Sequence, residues 1–130
     1  MPDLTEMLNQ AKAAALHAYV PYSHFPVGVC IRSENNQLFA GCNVENAAYP
    51  IGQCAETSAI GAMITHGQTK IREVVIVSPR AQFITPCGAC RQRLYEFALP
   101  ETQIHLYNNV GDFQTIELSQ LLPKPFSFKN

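Results

Sequence analysis

Three cysteines and one glutamate constrain this chain more than any other feature. They fall in two short strings, Cys54-Ala55-Glu56 and Pro86-Cys87-Gly88-Ala89-Cys90. Three thiolates fill three corners of a zinc tetrahedron, and a fourth corner left open separates a catalytic zinc site from a structural one. A glutamate close to the first ligand can then handle the protons of a metal-bound water. A fold that uses these groups together must bring two distant segments to one point.

Both strings sit where a loop turns into a helix. Unsatisfied N–H groups and the helix dipole favour anions there, which lowers thiol pKa values and promotes metal binding. Cys87 and Cys90, three apart, share one helix face, and Pro86 suits a helix start. Two other readings stand beside a catalytic site. A lone C-x-x-C can be a redox pair, but the strand-first context near the N-terminus is missing. Recruiting Cys42 would close a structural site of four cysteines, which leaves Glu56 without a task. Cys30 and Cys42 read as small buried thiols in strands.

The chain has 130 residues, 47% of them hydrophobic and 15% charged, with a net charge of −1. One domain spanning residues 1–130 is expected, with a core of its own. No cluster of Lys and Arg exists, which argues against a nucleic-acid polymer or an anionic membrane as partner. No apolar run approaches the ~20 residues of a membrane span. The start, Met-Pro-Asp-Leu-Thr-Glu, lacks a basic n-region and an apolar h-region, so a cytoplasmic location is expected. Five cysteines, an odd number, speak against a disulfide framework.

Asp3 to Glu6 resembles a capping box, and Leu4, Leu8, Ala11, Ala15 and Ala18 form one helix face ending before Pro21. Strands are expected over 27–32, 38–42, 71–78, 103–107 and 113–117. Helices are expected over 54–66 and 87–97, with a short last one over 119–122. Val74-Val75-Ile76-Val77 suits a central strand covered on both faces. The order α-β-β-α-β-α-β-β implies a mixed sheet sandwiched by helices.

The cysteine and glutamate pattern is the signature of zinc deaminases in its three-cysteine form. Longer strings sharpen this. Ala18-Tyr19-Val20-Pro21-Tyr22-Ser23, Phe25-Pro26-Val27-Gly28, Gly41 through Tyr49, Cys54-Ala55-Glu56, Pro86 through Gln92 and Leu121-Leu122-Pro123 resemble, in order, the small homotetrameric cytidine deaminases. The resemblance covers most of the chain. It implies a three-layer α/β/α fold with a mixed five-stranded sheet and helices on both faces. It also implies one Zn²⁺ per chain on Cys54, Cys87 and Cys90. A zinc-bound hydroxide would attack C4 of cytidine or 2′-deoxycytidine, giving uridine or 2′-deoxyuridine and ammonia in pyrimidine salvage. Glu56 would carry the protons.

By the same resemblance Asn43 and Glu45 bind the ribose 3′-hydroxyl, and Phe25 packs against the base. The backbone of Ala55 and the carbonyl of Thr85, where the family usually has Ser, meet the pyrimidine edge. Tyr49 and Phe126 reach into a neighbouring subunit's pocket, with Phe128 competing for the second role. One departure stands out: the family usually has Arg after Cys-Ala-Glu, and this chain has Thr57. Zinc with three thiolates carries a formal negative charge, so a nearby cation matters. Arg91 and the two helix N-termini are expected to supply the balance, with a Thr57 hydroxyl bond to a thiolate. Other readings are a deaminase of a nucleoside-like compound such as blasticidin S, a nucleic-acid editor, and a structural zinc module.

Overall fold

The computed structural model describes residues 3–128. Five strands form one sheet in the order β2-β1-β3-β4-β5. These are β1 Gly28–Ser33, β2 Leu38–Cys42, β3 Ile71–Val77, β4 Ala98–Tyr107 and β5 Phe113–Glu117. Only β3 and β4 run parallel; the other neighbours are antiparallel. The helices are α1 Leu4–Ala15, α2 Ala55–Thr65, α3 Gly88–Phe97 and α4 Leu118–Leu121, with a 3₁₀ turn at Tyr49–Ile51.

Successive strand residues face opposite layers, and this divides the core in two. Val29, Ile31, Val74, Ile76, Ile104 and Leu106 pack with α2, Leu94 of α3 and Leu118 of α4. Cys30, Val75, Val77 and Tyr107 pack against Met7 and Ala11 of α1. The layers are therefore α/β/α around a mixed five-stranded sheet, as the sequence led us to expect. β3 lies in the middle, and its Val74, Val75 and Ile76 are wholly buried. Each such side chain contributes about 1.5–3 kcal/mol by leaving water.

Two close approaches set the helices on this sheet. A Cβ on Gly28 would lie 1.8 Å from the Ala11 carbonyl oxygen of α1, and one on Gly41 would lie 2.4 Å from the Ala59 nitrogen of α2. Both helices thus rest backbone to backbone against strands. Asp3 caps α1 by accepting from the Glu6 amide at 2.9 Å, a contact that stabilises a helix start by about 1 kcal/mol.

Three sequence expectations move. The buried stripe of α1 is Met7, Ala11 and Ala15; the helix stops at Ala15, so Ala18 lies beyond it. Cys54 and Cys87 are the N-caps of α2 and α3 and not their first helical residues. β4 begins at Ala98, five residues earlier than expected. The early part is irregular: the pairing with β3 shifts between Ile71 and Glu73. There the Thr102 hydroxyl donates to the Ile71 carbonyl (2.6 Å) and accepts from the Leu99 amide (2.8 Å).

Candidate active site

α2 and α3 touch on the same side of the sheet, and their N-terminal ends carry the two cysteine strings. The ligand atoms of Cys54, Glu56 and Cys90 all lie within 4.8 Å of one another. The Cys54 and Cys90 sulfurs are in contact, yet their Cα atoms are 7.6 Å apart. A disulfide does not bridge Cα atoms more than ~7 Å apart without backbone movement. Two sulfurs converging across that span match two ligands of one ion. Cys87 is exposed and stands outside this cluster; its sulfur accepts from the Cys90 amide at 3.5 Å. It still lines the same cavity as Cys54, Glu56 and Cys90.

The donor set fits zinc. It offers soft thiol ligands on two helix starts, a third cysteine on the same wall, and an adjacent carboxyl. Cys42 takes no part. It shares the strand face of Leu38, which packs on the α1 side, whereas Gly41 faces α2. Cys30 is wholly buried on the α1 side of β1.

Glu56 is only 5% exposed. Burial raises its pKa, while its own backbone N–H and the Arg93 charge partly oppose the rise. The cavity has a volume of ≈ 340 Å³ and includes Val27, Asn43, Glu45, Tyr49, Ala55 and Thr85 in its wall. A second cavity of ≈ 380 Å³ shares Glu45, Tyr49 and Gly52 with it and adds Tyr22, Ser23 and Asn46.

Asn43 and Glu45 hold the loop that precedes β1. Asn43 Oδ1 accepts from the Val27 amide and its Nδ2 donates to the Phe25 carbonyl, both at 2.9 Å. Glu45 Oε1 accepts from the Tyr22 and Ser23 amides at 3.1 Å, and Oε2 accepts from the Ser23 hydroxyl. The Ser23 hydroxyl leads these contacts in holding the Glu45 carboxyl below its ordinary range. Phe25 is half-buried but its side chain does not line the main cavity.

Tyr49 is 74% exposed and meets Tyr22 edge-on at a ring separation of 5.7 Å. Phe126 and Phe128 are also exposed and stack edge-on with each other at 5.0 Å. Neither lines the cavity in a single chain. Gln92 of α3 pins Phe126 through both its carbonyl (2.9 Å) and its amide (3.2 Å).

Arg91 turns to backbone carbonyls. Its Nε donates to the Pro86 carbonyl at 2.8 Å and its Nη1 to the Leu121 carbonyl at 3.0 Å. This guanidinium, expected to balance the thiolate charge, fastens the entry of α3, beside Cys87, to the end of α4. Arg93 is the arginine that reaches both sulfurs. The sequence reading missed it, although its spacing of three from Cys90 repeats the spacing that put Cys87 and Cys90 on one face. The expected Thr57 contact is present, with its hydroxyl 3.0 Å from the Cys54 sulfur. Ser23 was also given no role. Its partner Glu45 is 22 residues away, and no local pattern announces that contact.

The profile of the cytidine and deoxycytidylate deaminase zinc-binding region matches residues 1–106. The chain belongs to the cytidine deaminase family. As a cytidine deaminase family member it is an enzyme, and several relatives match over nearly its full length. A cytidine deaminase of Sporosarcina psychrophila is 36% identical, covering 96% of this chain and 92% of the relative. One of Halalkalibacterium halodurans is 35% identical, covering 96% and 95%. Among solved structures, the cytidine deaminase of Burkholderia pseudomallei superposes with a TM-score of 0.90 at 35% identity, covering 96% of this chain and all of that one. The Mycobacterium leprae cytidine deaminase gives 0.83 at 37% identity, covering 95% and 100%.

Proposed function

We propose that this protein hydrolytically deaminates cytidine and 2′-deoxycytidine to uridine and 2′-deoxyuridine, releasing ammonia, with one zinc ion per chain. The observation that carries this reading is the convergence of Cys54, Glu56 and Cys90 at two helix starts in the wall of one cleft. Cys54, Cys87 and Cys90 would hold the metal, Cys87 joining the other two from the same cavity wall. Bound zinc supplies a Lewis acid that makes a coordinated water nucleophilic at neutral pH.

Glu56 takes the proton from the attacking water as the C4–O bond forms and passes it to N3 of the ring. It then takes the remaining proton from the new C4 hydroxyl and delivers it to the exocyclic nitrogen, so that the C4–N bond breaks, ammonia leaves and a C4 carbonyl remains. One carboxyl can serve both steps because it alternates between base and acid. Its burial excludes competing water. The Ala55 backbone and the Thr85 carbonyl would hold the pyrimidine edge, with Phe25 beside the ring.

Asn43 and Glu45 retain acceptor lone pairs beyond the loop contacts they make, and these would accept from the ribose hydroxyl. The loop contacts fix both side chains before substrate arrives. A site that positions polar groups in this way discriminates against a sugar lacking the hydroxyl. The exposed Tyr49 and the exposed Phe126 and Phe128 suit completion of the pocket by a neighbouring copy, in a homotetramer. Pyrimidine salvage in the cytoplasm is the physiological setting this reading implies. Among the described residues no helix is long and apolar enough to cross a membrane.

An ultraviolet assay with both nucleosides, paired with a zinc count per chain, tests the proposal. Glu56→Gln is expected to retain one zinc and lose at least ~10²-fold in kcat, the low end for a positioned proton carrier. Turnover of blasticidin S without turnover of cytidine, or a fully active Glu56→Gln, would overturn it.

A further inference from the structure

A single nitrogen, Arg93 Nη1, lies 3.8 Å from the Cys54 sulfur and 3.6 Å from the Cys90 sulfur. It is within donor range of both thiols across the gap between α2 and α3. Arg93 is one turn after Cys90 on α3, and Thr57 is one turn after Cys54 on α2, with its hydroxyl 3.0 Å from that sulfur. Each cysteine thus has a polar neighbour three residues on, along its own helix face. Arg91, the other arginine of this helix turn, donates through Nε and Nη1 to the Pro86 and Leu121 carbonyls.

We propose that Arg93 is the positioning residue that balances the charge of the metal centre and sets how tightly it holds zinc. Thr57 completes the arrangement by directing its hydroxyl at Cys54. The inference rests on the zinc site of the preceding section. Zinc and three thiolates sum to one negative charge, and a guanidinium bridging two of the sulfurs offsets it where it develops. In the free chain the Arg93 side chain is largely exposed, so water screens part of the effect. The cation therefore comes from the second turn of α3. Position 57, the first turn of α2, holds a neutral hydroxyl instead of the expected arginine.

The test compares zinc affinity, by competition with a chromophoric chelator, in the wild type, Arg93→Gln and the double variant Thr57→Arg/Arg93→Gln. Ligand-supporting neighbours of this kind carry about 10–100-fold in metal affinity, and the exposure of Arg93 puts its share near tenfold. Arg93→Gln should lose about tenfold, and the double variant should recover most of it, because position 57 also adjoins Cys54. Melting of the metal-free proteins serves as the folding control and should differ little among the three. Unchanged zinc affinity in Arg93→Gln, or a folded double variant that binds zinc no better than the single one, overturns the proposal. A wild type that binds no zinc at all instead overturns the proposed function, and this inference with it.

Discussion

Cys30 lies on β1 with no exposed surface, and burial pushes its thiol up to about 12, only partly offset by its bond with the Phe39 backbone. The native chain therefore keeps this proton when the unfolded chain has lost it. The resulting stabilisation is complete below about pH 9 and disappears as pH rises from there toward 12. Between pH 7.5 and 10 the loss from this group amounts to about 1–1.5 kcal/mol. Urea unfolding at the two pH values should show that difference shrink by this amount in Cys30→Ala. The arginines make a different point at the same scale. Arg91 and Arg93 are two residues apart, so about 200° of helix rotation separates them. The family resemblance pointed to Arg91 alone as the cation near the metal, and no string in the sequence singled out Arg93. Only the meeting of α3 with α2 selects Arg93.

The elements were legible where a local pattern dictates them. β2 and β5 fall where alternation and polar turns put them, and the apolar run of β3 lies at the sheet centre. Boundaries failed where a long-range contact decides. β4 extends back to Ala98 because the Thr102 hydroxyl bonds the Ile71 carbonyl of the neighbouring strand. The Tyr49–Ile51 turn is held by the Ile51 and Gly52 amides on Ala48 and Tyr49 carbonyls, inside what reads as loop. Gly41 shows how an element positions the site. Its missing Cβ lets α2 lie on β2, and Cys54 caps that helix. Gly41→Ala should push α2 outward and lower stability by about 1–3 kcal/mol. Zinc affinity should fall alongside, because Cys54 moves with α2. A thermal melt and a chelator titration of that variant check both effects. A stability loss with unchanged zinc affinity would uncouple helix seating from the metal site.

On the scale of the whole molecule, the layers and the strand composition of the sheet were legible, because alternation assigns each strand two faces. The assembly of the cleft was less so. The Asn43 and Glu45 contacts with residues 22–27 bridge distant segments, and nothing near them in sequence signals it. On the proposed zinc site the metal would tie α2 to α3, so its removal should be felt by the entire domain. Binding to the folded chain alone stabilises by about 4 kcal/mol at a thousandfold excess over Kd. Calorimetry with and without a chelator should show the melting temperature fall on zinc removal and return on its replacement. An unchanged melt would mean that the helices hold each other without the ion.

The strand order has a consequence for how the chain reaches this state. β1 with β2 and β4 with β5 are hairpins of neighbouring strands, whereas β3 pairs with both and closes the sheet between them. Local pairings form faster than distant ones, because loop closure opposes the latter. Cys54 precedes β3 in the chain, and Cys87 and Cys90 follow it. The two helix starts are therefore expected to meet as the central seam closes. On the proposed zinc site, a metal ion supplied during refolding would find its full set of sulfurs only in chains that have completed that slow step, so metal capture would time the last stage of folding.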